Sequence, residues 1–237
     1  MKSTEKKKTG KRLKEKRTDR NILFITYVMV GLFVCLMGYF GYFLQVQSET
    51  VINNSYNARL DSFSDRIIRG EILSSDRTVL AKTNVAEDGT EVREYPYGSL
   101  FAHVVGYSDQ GKTGLESLAN FYLLSSHMNL VEQAVNELSD VKNLGDQVVT
   151  TLDVQLQQAA SDALGDRKGA VVVMEPDTGK ILAMVSKPGF DPNQLSSQWE
   201  SLISGDNTEA QLLNRASQGL YPPGSTFKIV TLLEYIR

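Results

Sequence analysis

The 237-residue chain is long enough for one or two domains, and a hydrophobic share of 41% allows packed cores and excludes bulk disorder. Its formal charge of −3 hides a division: residues 1–20 carry ten Lys/Arg against Glu5, Glu15 and Asp19, whereas the remainder carries 15 basic and 25 acidic residues. A basic head on an acidic body excludes a nucleic-acid binder, whose body should be basic too, and suits a membrane anchor.

Residues 1–21 form the basic tail, and Ile22 through Leu44 follow as 23 residues without a formal charge. As a helix this run reaches about 34 Å, enough to cross a bilayer core of about 30 Å with some tilt. Tyr27, Tyr39 and Tyr42 suit the interfaces, and Gly31, Gly38 and Gly41 allow close helix approach. A cleaved signal peptide would have a shorter apolar core and a small-residue cleavage site, which Gln45-Val46-Gln47-Ser48-Glu49 does not offer. An uncleaved signal anchor is expected. Arg59 alone is basic among the next twenty residues, so the N-terminus is expected in the cytoplasm and everything from about residue 45 outside. Cys35, the one cysteine, lies in the span, and His103 and His127 lack partners at ligand spacing. No disulfide, metal or cofactor is expected.

Residues 48–66 read as an extended arm. Arg69-Gly70-Glu71-Ile72-Leu73-Ser74-Ser75-Asp76-Arg77-Thr78-Val79-Leu80-Ala81 reads as two short β segments around a polar turn. Asn120 to about Leu138 reads as mostly helical. Between them, Gly106-Tyr107-Ser108-Asp109-Gln110-Gly111-Lys112-Thr113 satisfies the P-loop pattern in full, with Val104-Val105 before it and Val171–Glu175 as a second candidate strand. A membrane-anchored nucleotidase is one reading of this segment, although the inferred topology puts the loop outside, where ATP is scarce.

From Gly145 a second domain is expected. Gln147–Thr151 reads as a strand, and Asp153 caps a helix with Leu156, Ala159, Ala160, Ala163 and Leu164 on one face, ending at Gly165. Residues 169–175 and 180–186 read as a hairpin of buried strands around Pro176-Asp177-Thr178-Gly179. Gln194–Ser204, with Leu195, Trp199, Leu202 and Ile203, reads as a helix. In Tyr221-Pro222-Pro223-Gly224-Ser225-Thr226-Phe227-Lys228, prolines and glycine break the chain before an apolar run, which places Ser225 at a helix N-terminus and Lys228 one turn on. A hydroxyl there can pass its proton to a neutral amine, and burial and the helix end both disfavour the ammonium form. Free N–H groups at that end would face an oxyanion formed on a carbonyl attacked by Ser225. Ser3…Lys6 and Ser139…Lys142 match S-x-x-K as well, but neither opens an apolar helix.

Asn214-Arg215-Ala216…Gly219…Tyr221 through Lys228 resembles the nucleophile segment of the penicillin-binding transpeptidases. Arg69–Ala81 resembles the opening motif of the non-catalytic domain in class B penicillin-binding proteins, usually R-G-x-I-x-D-R-x-G-x-x-L-A. Here Ser74-Ser75 replace the Asp-Arg pair and Arg77 replaces a glycine, which puts that motif's ion pairing in question. Arg93-Glu94-Tyr95-Pro96-Tyr97-Gly98…Ala102-His103-Val104-Val105-Gly106-Tyr107 and Gly111-Lys112-Thr113-Gly114-Leu115-Glu116 resemble the next two motifs, in the family's order. Ser55-Tyr56-Asn57 and Lys112-Thr113-Gly114 match the family's S-x-N and K-T-G tripeptides, but both precede Ser225 where the family places them after it.

The resemblance implies a membrane-anchored α+β protein. One transmembrane helix leads to a β-rich pedestal domain over 45–144 and the first part of a transpeptidase α/β domain over 145–237. It also implies peptidoglycan cross-linking by serine acyl transfer, with Ser225 as nucleophile, Lys228 as general base, and Arg215, Tyr221 and Gly224 as framework, Gly224 allowing close backbone approach. The implied partners are peptidoglycan stem peptides, β-lactams, the cytoplasmic membrane and a SEDS-type glycosyltransferase. The family's catalytic domain continues well past residue 237, so the sequence reads as part of a longer protein, not expected to form a stable penicillin adduct alone. A non-catalytic scaffold of cell-wall synthesis is the alternative.

Overall fold

The structure, a computed structural model, describes residues 2–48, 64, 66–129, 135–136, 138–139, 141–205 and 208–236. Almost all of the expected arm, with Ser55-Tyr56-Asn57, lies outside the described residues. The chain divides into two units, Met1–Ile52 and Asn53–Arg237.

In the first unit, α1 (Lys2–Tyr42) is one unbroken helix, extended by a π-helical turn over Phe43–Gln47. Within it, Ile22–Gln47 is long and apolar enough to cross a membrane, and none of it is buried in the chain. Thr26 turns its hydroxyl back onto Ile22 O at 2.9 Å, which satisfies the one polar side chain near the start of the span.

The second unit begins with the motif strands. β1 (Ile67–Ile68) pairs in parallel with β5 (Asn143–Leu144). β2 (Ile72–Leu73), β3 (Val79–Val85), β4 (Glu91–Glu94) and β6 (Val148–Val149) form a sheet of order β4-β3-β2-β6. The β2–β3 turn closes on Asp76, whose carboxylate accepts from Ser74 Oγ at 2.5 Å and Thr78 N at 3.0 Å. These bonds, Ser74's above all, hold the Asp76 carboxyl at about 2. Arg77 sits at φ 67°, the left-handed conformation that the motif's usual glycine adopts without strain. The departure at Ser74-Ser75 therefore leaves a closed turn, built from hydrogen bonds to a different aspartate.

β6 is the strand read from sequence as the opening of the second domain, yet its register, Ile72↔Val148 and Leu73↔Val149, places it in the first domain's sheet. The main core likewise joins Ile72, Leu80, Tyr95, Phe101, Val105 and Leu123 to Leu152. A second core packs Ala102 and Tyr107 against Phe190, Leu195 and Leu202.

Three expectations need correction here. After α2 (Ala102–Val105), α3 (Gly114–Leu118) and α4 (Asn120–Leu123), the helical stretch read over 120–138 is interrupted over 124–129, and Val135, Asn136 and Leu138 are helical again. Asp146 N donates to Ser125 O at 2.8 Å and Asp146 Oδ1 accepts His127 N at 3.0 Å, so the 125–127 backbone is held by the 146 segment instead; residues 130–134 and 137 lie outside the described ones. The P-loop match is also not a P-loop. Val104-Val105 belong to helix α2 rather than a strand, and at Gly106, φ 85°, an added Cβ would lie 2.0 Å from Thr113 O. The loop is folded onto itself where a phosphate cradle would open. Its supposed partner strand sits in a two-stranded antiparallel hairpin, β7 (Gly169–Met174) with β8 (Ile181–Lys187), which lacks the parallel sheet a nucleotide fold uses.

The third correction concerns which faces are buried. α5 (Val154–Leu164) is capped as expected, with Asp153 accepting Leu156 N at 2.9 Å and Gly165 at φ 57° ending it. Its inner face, however, is Gln157 and Ala160 with Leu164, whereas Leu156, Ala159 and Ala163 are exposed. Apolar spacing misses this because the fully buried residue is polar. Gln157 donates to Leu100 O at 2.8 Å and Met184 O at 2.9 Å and accepts Met184 N at 2.8 Å, so its amide is satisfied inside. In the hairpin, Ala183 and Val185 of β8 are buried, but Val172 and Met174 of β7 face outward. On α6 (Leu195–Ile203), Leu195 and Leu202 are buried while Ile203 is exposed.

Candidate active site

The segment leading to Ser225 is anchored by α7 (Arg215–Gln218), capped by Asn214, whose Oδ1 accepts Ala216 N at 3.0 Å. Arg215 is buried and donates through its guanidinium to Ala210 O at 3.1 Å and Glu209 O at 2.5 Å. Its backbone N–H donates to Ser186 Oγ at 3.0 Å, and that hydroxyl in turn donates to Leu213 O at 3.2 Å. Strand β8 and the 209–214 loop are thereby locked together just before the nucleophile segment.

A second anchor comes from α2. His103 Nε2 donates to Gln211 O at 2.7 Å, and Asn214 Nδ2 donates to His103 O at 3.2 Å. His103 stacks edge-on against Phe190 at 5.3 Å. Burial first, then the Arg215 charge, pushes its pKa below 6.5, against the opposing bond to Gln211. Below pH 6.5 the unfolded chain therefore takes up a proton that the folded chain resists. Stability from this site is complete above pH 6.5 and is lost as pH falls beneath it, by at most about 1.4 kcal/mol per pH unit. Chemical denaturation at pH 5.0 and 7.5 should show this loss, and His103→Gln, which keeps a donor and cannot titrate, should flatten it. An undiminished slope in the variant would assign the acid lability elsewhere.

Past Gly219 the chain rises to Tyr221, whose ring occupies the space beside that glycine: a Cβ on Gly219 would meet Tyr221 Cε2 at 2.4 Å. After Pro222-Pro223, a 3-10 turn spans Gly224–Phe227 and runs directly into α8 (Lys228–Ile236). Gly224 starts it at φ 55°, and a Cβ built there meets nothing within 4 Å. The glycine is needed for conformation and not, as read from sequence, for close approach. Ser225 lies inside the 3-10 turn and Lys228 ends it, with Lys228 N–H donating to Ser225 O. Three residues per turn put positions i and i+3 in line, a closer alignment than an α-helical turn gives.

Two parts of the expected machinery differ. Lys228 is exposed, so the burial that was to favour its neutral form is missing from these surroundings. Thr226 N–H is committed to Pro223 O at 3.2 Å, and Thr226 Oγ1 donates to the same carbonyl at 2.5 Å, so that amide is not free for an oxyanion. The apolar residues of α8, Ile229, Val230, Leu232, Leu233 and Ile236, are exposed too. No residue of the described chain walls the serine from water.

Sequence reasoning missed one buried constellation altogether. Glu116 is 0% exposed and meets Arg69 Nε at 2.6 Å and Arg93 Nε at 2.8 Å, with the two guanidinium side chains 11% and 9% exposed. Arg69 also donates to Glu116 O and Asn120 Oδ1, both at 2.6 Å. Tyr95 OH donates to Glu116 Oε1 at 3.3 Å, and burial followed by the Glu116 charge drives the phenol up to about 12. The three motifs that carry Arg69, Arg93 and Glu116 thus converge on one carboxylate.

Comparison with known proteins places both halves. Residues 69–148 match the penicillin binding protein A dimerisation domain, and residues 169–235 match the penicillin binding protein transpeptidase domain. The peptidoglycan D,D-transpeptidase PbpA of Mycolicibacterium smegmatis is 38% identical over 190 residues, covering 73% of this chain and 38% of the relative. MrdA, the peptidoglycan D,D-transpeptidase of Escherichia coli K12, is 34% identical over 176 residues, covering 59% of this chain and 28% of its own. Among solved structures, the imipenem acyl-enzyme complex of penicillin-binding protein A from M. tuberculosis superposes with a TM-score of 0.61 at 35% identity, covering 71% of this chain and 42% of that one. The D,D-transpeptidase domain of a peptidoglycan glycosyltransferase from Eggerthella lenta gives a TM-score of 0.60 at 42% identity, covering 72% and 37%. The chain therefore spans well under half the length of these relatives.

Proposed function

Because the chain belongs to the penicillin-binding proteins, with a dimerisation segment followed by a transpeptidase segment, we propose that it serves peptidoglycan D,D-transpeptidation through Ser225. We divide it into a cytoplasmic tail (1–21), a membrane anchor (22–44), a pedestal (45–144) and the opening of the catalytic domain (145–237), all but the first two outside the cell. In the proposed reaction Ser225 Oγ attacks the carbonyl between two terminal D-alanines of a stem peptide. Its proton passes to the Lys228 amine and leaves on the departing D-alanine. The amine of a neighbouring stem peptide then attacks the acyl-enzyme, and the serine regains its proton. A β-lactam would acylate the same oxygen by opening its ring.

The observation that supports this most is the 3-10 turn over Gly224–Phe227, which aligns Ser225 with Lys228 at the mouth of an apolar helix. The framework role falls to Arg215, which fixes the preceding loop, to Tyr221, which packs on Gly219, and to Gly224, which supplies the turn's positive φ. The decisive test is labelling by a fluorescent penicillin in an active protein that carries this segment, with the adduct located by peptide mass spectrometry. Ser225→Ala should eliminate the labelled peptide; labelling that persists in the variant refutes the nucleophile. The 237-residue chain alone should form no stable adduct, since nothing described here shelters the serine.

A further inference from the structure

Asn214 holds more of the nucleophile segment than a helix cap requires. Every N–H of α7 after the first ends on it: Ala216 N on its Oδ1 at 3.0 Å, and Ser217 N and Gln218 N on its backbone O at 3.3 and 2.8 Å. The first, on Arg215, goes to Ser186 Oγ. A helix this short has no ladder of its own to set its direction, so α7 points where Asn214 and Ser186 hold it. The other end of the Asn214 amide leaves the segment. Its Nδ2 donates to His103 O in α2 at 3.2 Å and to Met184 Sδ in β8 at 3.6 Å. One side chain thus joins α7 to both α2 and β8.

The path onward to Ser225 is stiff. A Cβ added at Gly219 would lie 2.5 Å from Arg215 O and 2.4 Å from Tyr221 Cε2, so the Tyr221 ring closes against the end of α7. Pro222 and Pro223 follow, each with its φ fixed by the ring. The Pro223 carbonyl then takes both donors of Thr226, which starts the turn that carries Ser225.

We infer that Asn214 is a positioning residue for Ser225: its Nδ2 bonds to α2 and β8 set the direction of α7, and with it the point at which the serine oxygen meets the substrate carbonyl. Asn214 itself touches no reacting group, and the inference rests on the reading of Ser225 as nucleophile. A misplacement of about 1 Å at a reacting atom costs about 10²-fold in rate, so a small turn of α7 is enough to be read in the chemistry.

Asn214→Ser separates the two ends of the amide. Serine caps a helix as well as asparagine does, so its oxygen still serves Ala216 N, but no N–H remains for His103 O or Met184 Sδ. The measurement is the time course of labelling by a fluorescent penicillin, over a range of concentrations, in an active protein that carries this segment. Asn214→Ser should label to the parent's final extent, with a rate at saturation lower by about tenfold or more and a half-saturating concentration within about twofold of the parent's. A merely structural loss would instead shrink the labelled fraction and leave the remaining molecules at the parent's rate. That outcome overturns the inference, as does full labelling at a rate within about twofold of the parent's. Should the variant fail to fold, Gly219→Ala, which forces Tyr221 away from the end of α7, tests the same path: slowed labelling supports the inference and the parent's rate overturns it. Ser225→Ala is run beside them. Labelling that persists there defeats the nucleophile reading and the inference together, whereas labelling lost there but unslowed in Asn214→Ser defeats the inference alone.

Discussion

Glu116→Gln is expected to lower the unfolding free energy of the second unit by about 3–5 kcal/mol, because it leaves two largely buried guanidinium groups facing a neutral amide. Against the roughly 5–15 kcal/mol that stabilises a typical domain, such a loss removes a large part of the total. Both partners are nearly sealed from water, so the discount that applies to surface ion pairs does not apply here. Urea unfolding of parent and variant measures the effect directly. A loss under about 1 kcal/mol would mean that water reaches the carboxylate and that the cluster behaves as a surface pair. Replacing all three charges, with Glu116→Leu, Arg69→Met and Arg93→Met together, should cost less than the single change, since no buried charge is then stranded. It should not be neutral, however. Arg93 Nη1 also serves Gly70 O and Thr83 Oγ1, and those acceptors would lose their donor.

This cluster explains why the pedestal motifs were legible as strings of residues but not as an arrangement. Arg69, Arg93 and Glu116 lie 24 and 23 positions apart, and nothing local in a sequence announces that three separated charges will share one buried point. Elements whose rules are local were read correctly: the Asp153 cap, the Gly165 stop, the hairpin around Gly179 and the helix from Leu195 all depend on neighbours within a few residues. The faces of those elements were read less well. Gln157 is invisible to an apolar-periodicity argument, because its burial depends on carbonyls contributed from residues 100 and 184. The interruption of the helical stretch after Leu123 has the same origin, since Asp146 competes for the 125–127 backbone from far along the chain. At the candidate site, the order serine, turn, lysine was evident from the proline and glycine positions. The 3-10 geometry was not, because it depends on the Pro223 carbonyl capturing Thr226 N–H and hydroxyl together.

The same long-range contacts tie the pedestal motifs to the nucleophile segment. Tyr95 exchanges two backbone bonds of 2.9 Å with the Asn193 side chain, His103 holds Gln211, and Asn214 holds His103. Residues 95–107 therefore form one wall of the framework from which the 214–228 segment departs. A change in the pedestal that moved α2 would be felt at Asn214 before it reached Ser225.

Lys228→Met is expected to slow acylation by penicillin about 10²–10⁴-fold in an active protein that carries this segment, the usual contribution of a positioned base. Loss of rate alone would not separate a base from a cation that merely orients the turn, so Lys228→Arg carries the argument. Arginine keeps the positive charge and the length of the side chain but stays protonated, and so cannot accept the serine proton. If Lys228 acts as base, Arg should be as slow as Met; if it acts only as a fixed charge, Arg should restore most of the rate. The exposure of Lys228 here sharpens the expectation. Proton transfer between the serine and an amine is favoured where water is excluded from the pair. Time-resolved labelling of the three proteins at saturating penicillin measures the chemical step apart from binding. Rescue by arginine to within about threefold of the parent, well inside the range expected for a lost base, would remove Lys228 from proton transfer and leave Ser225 in need of another partner.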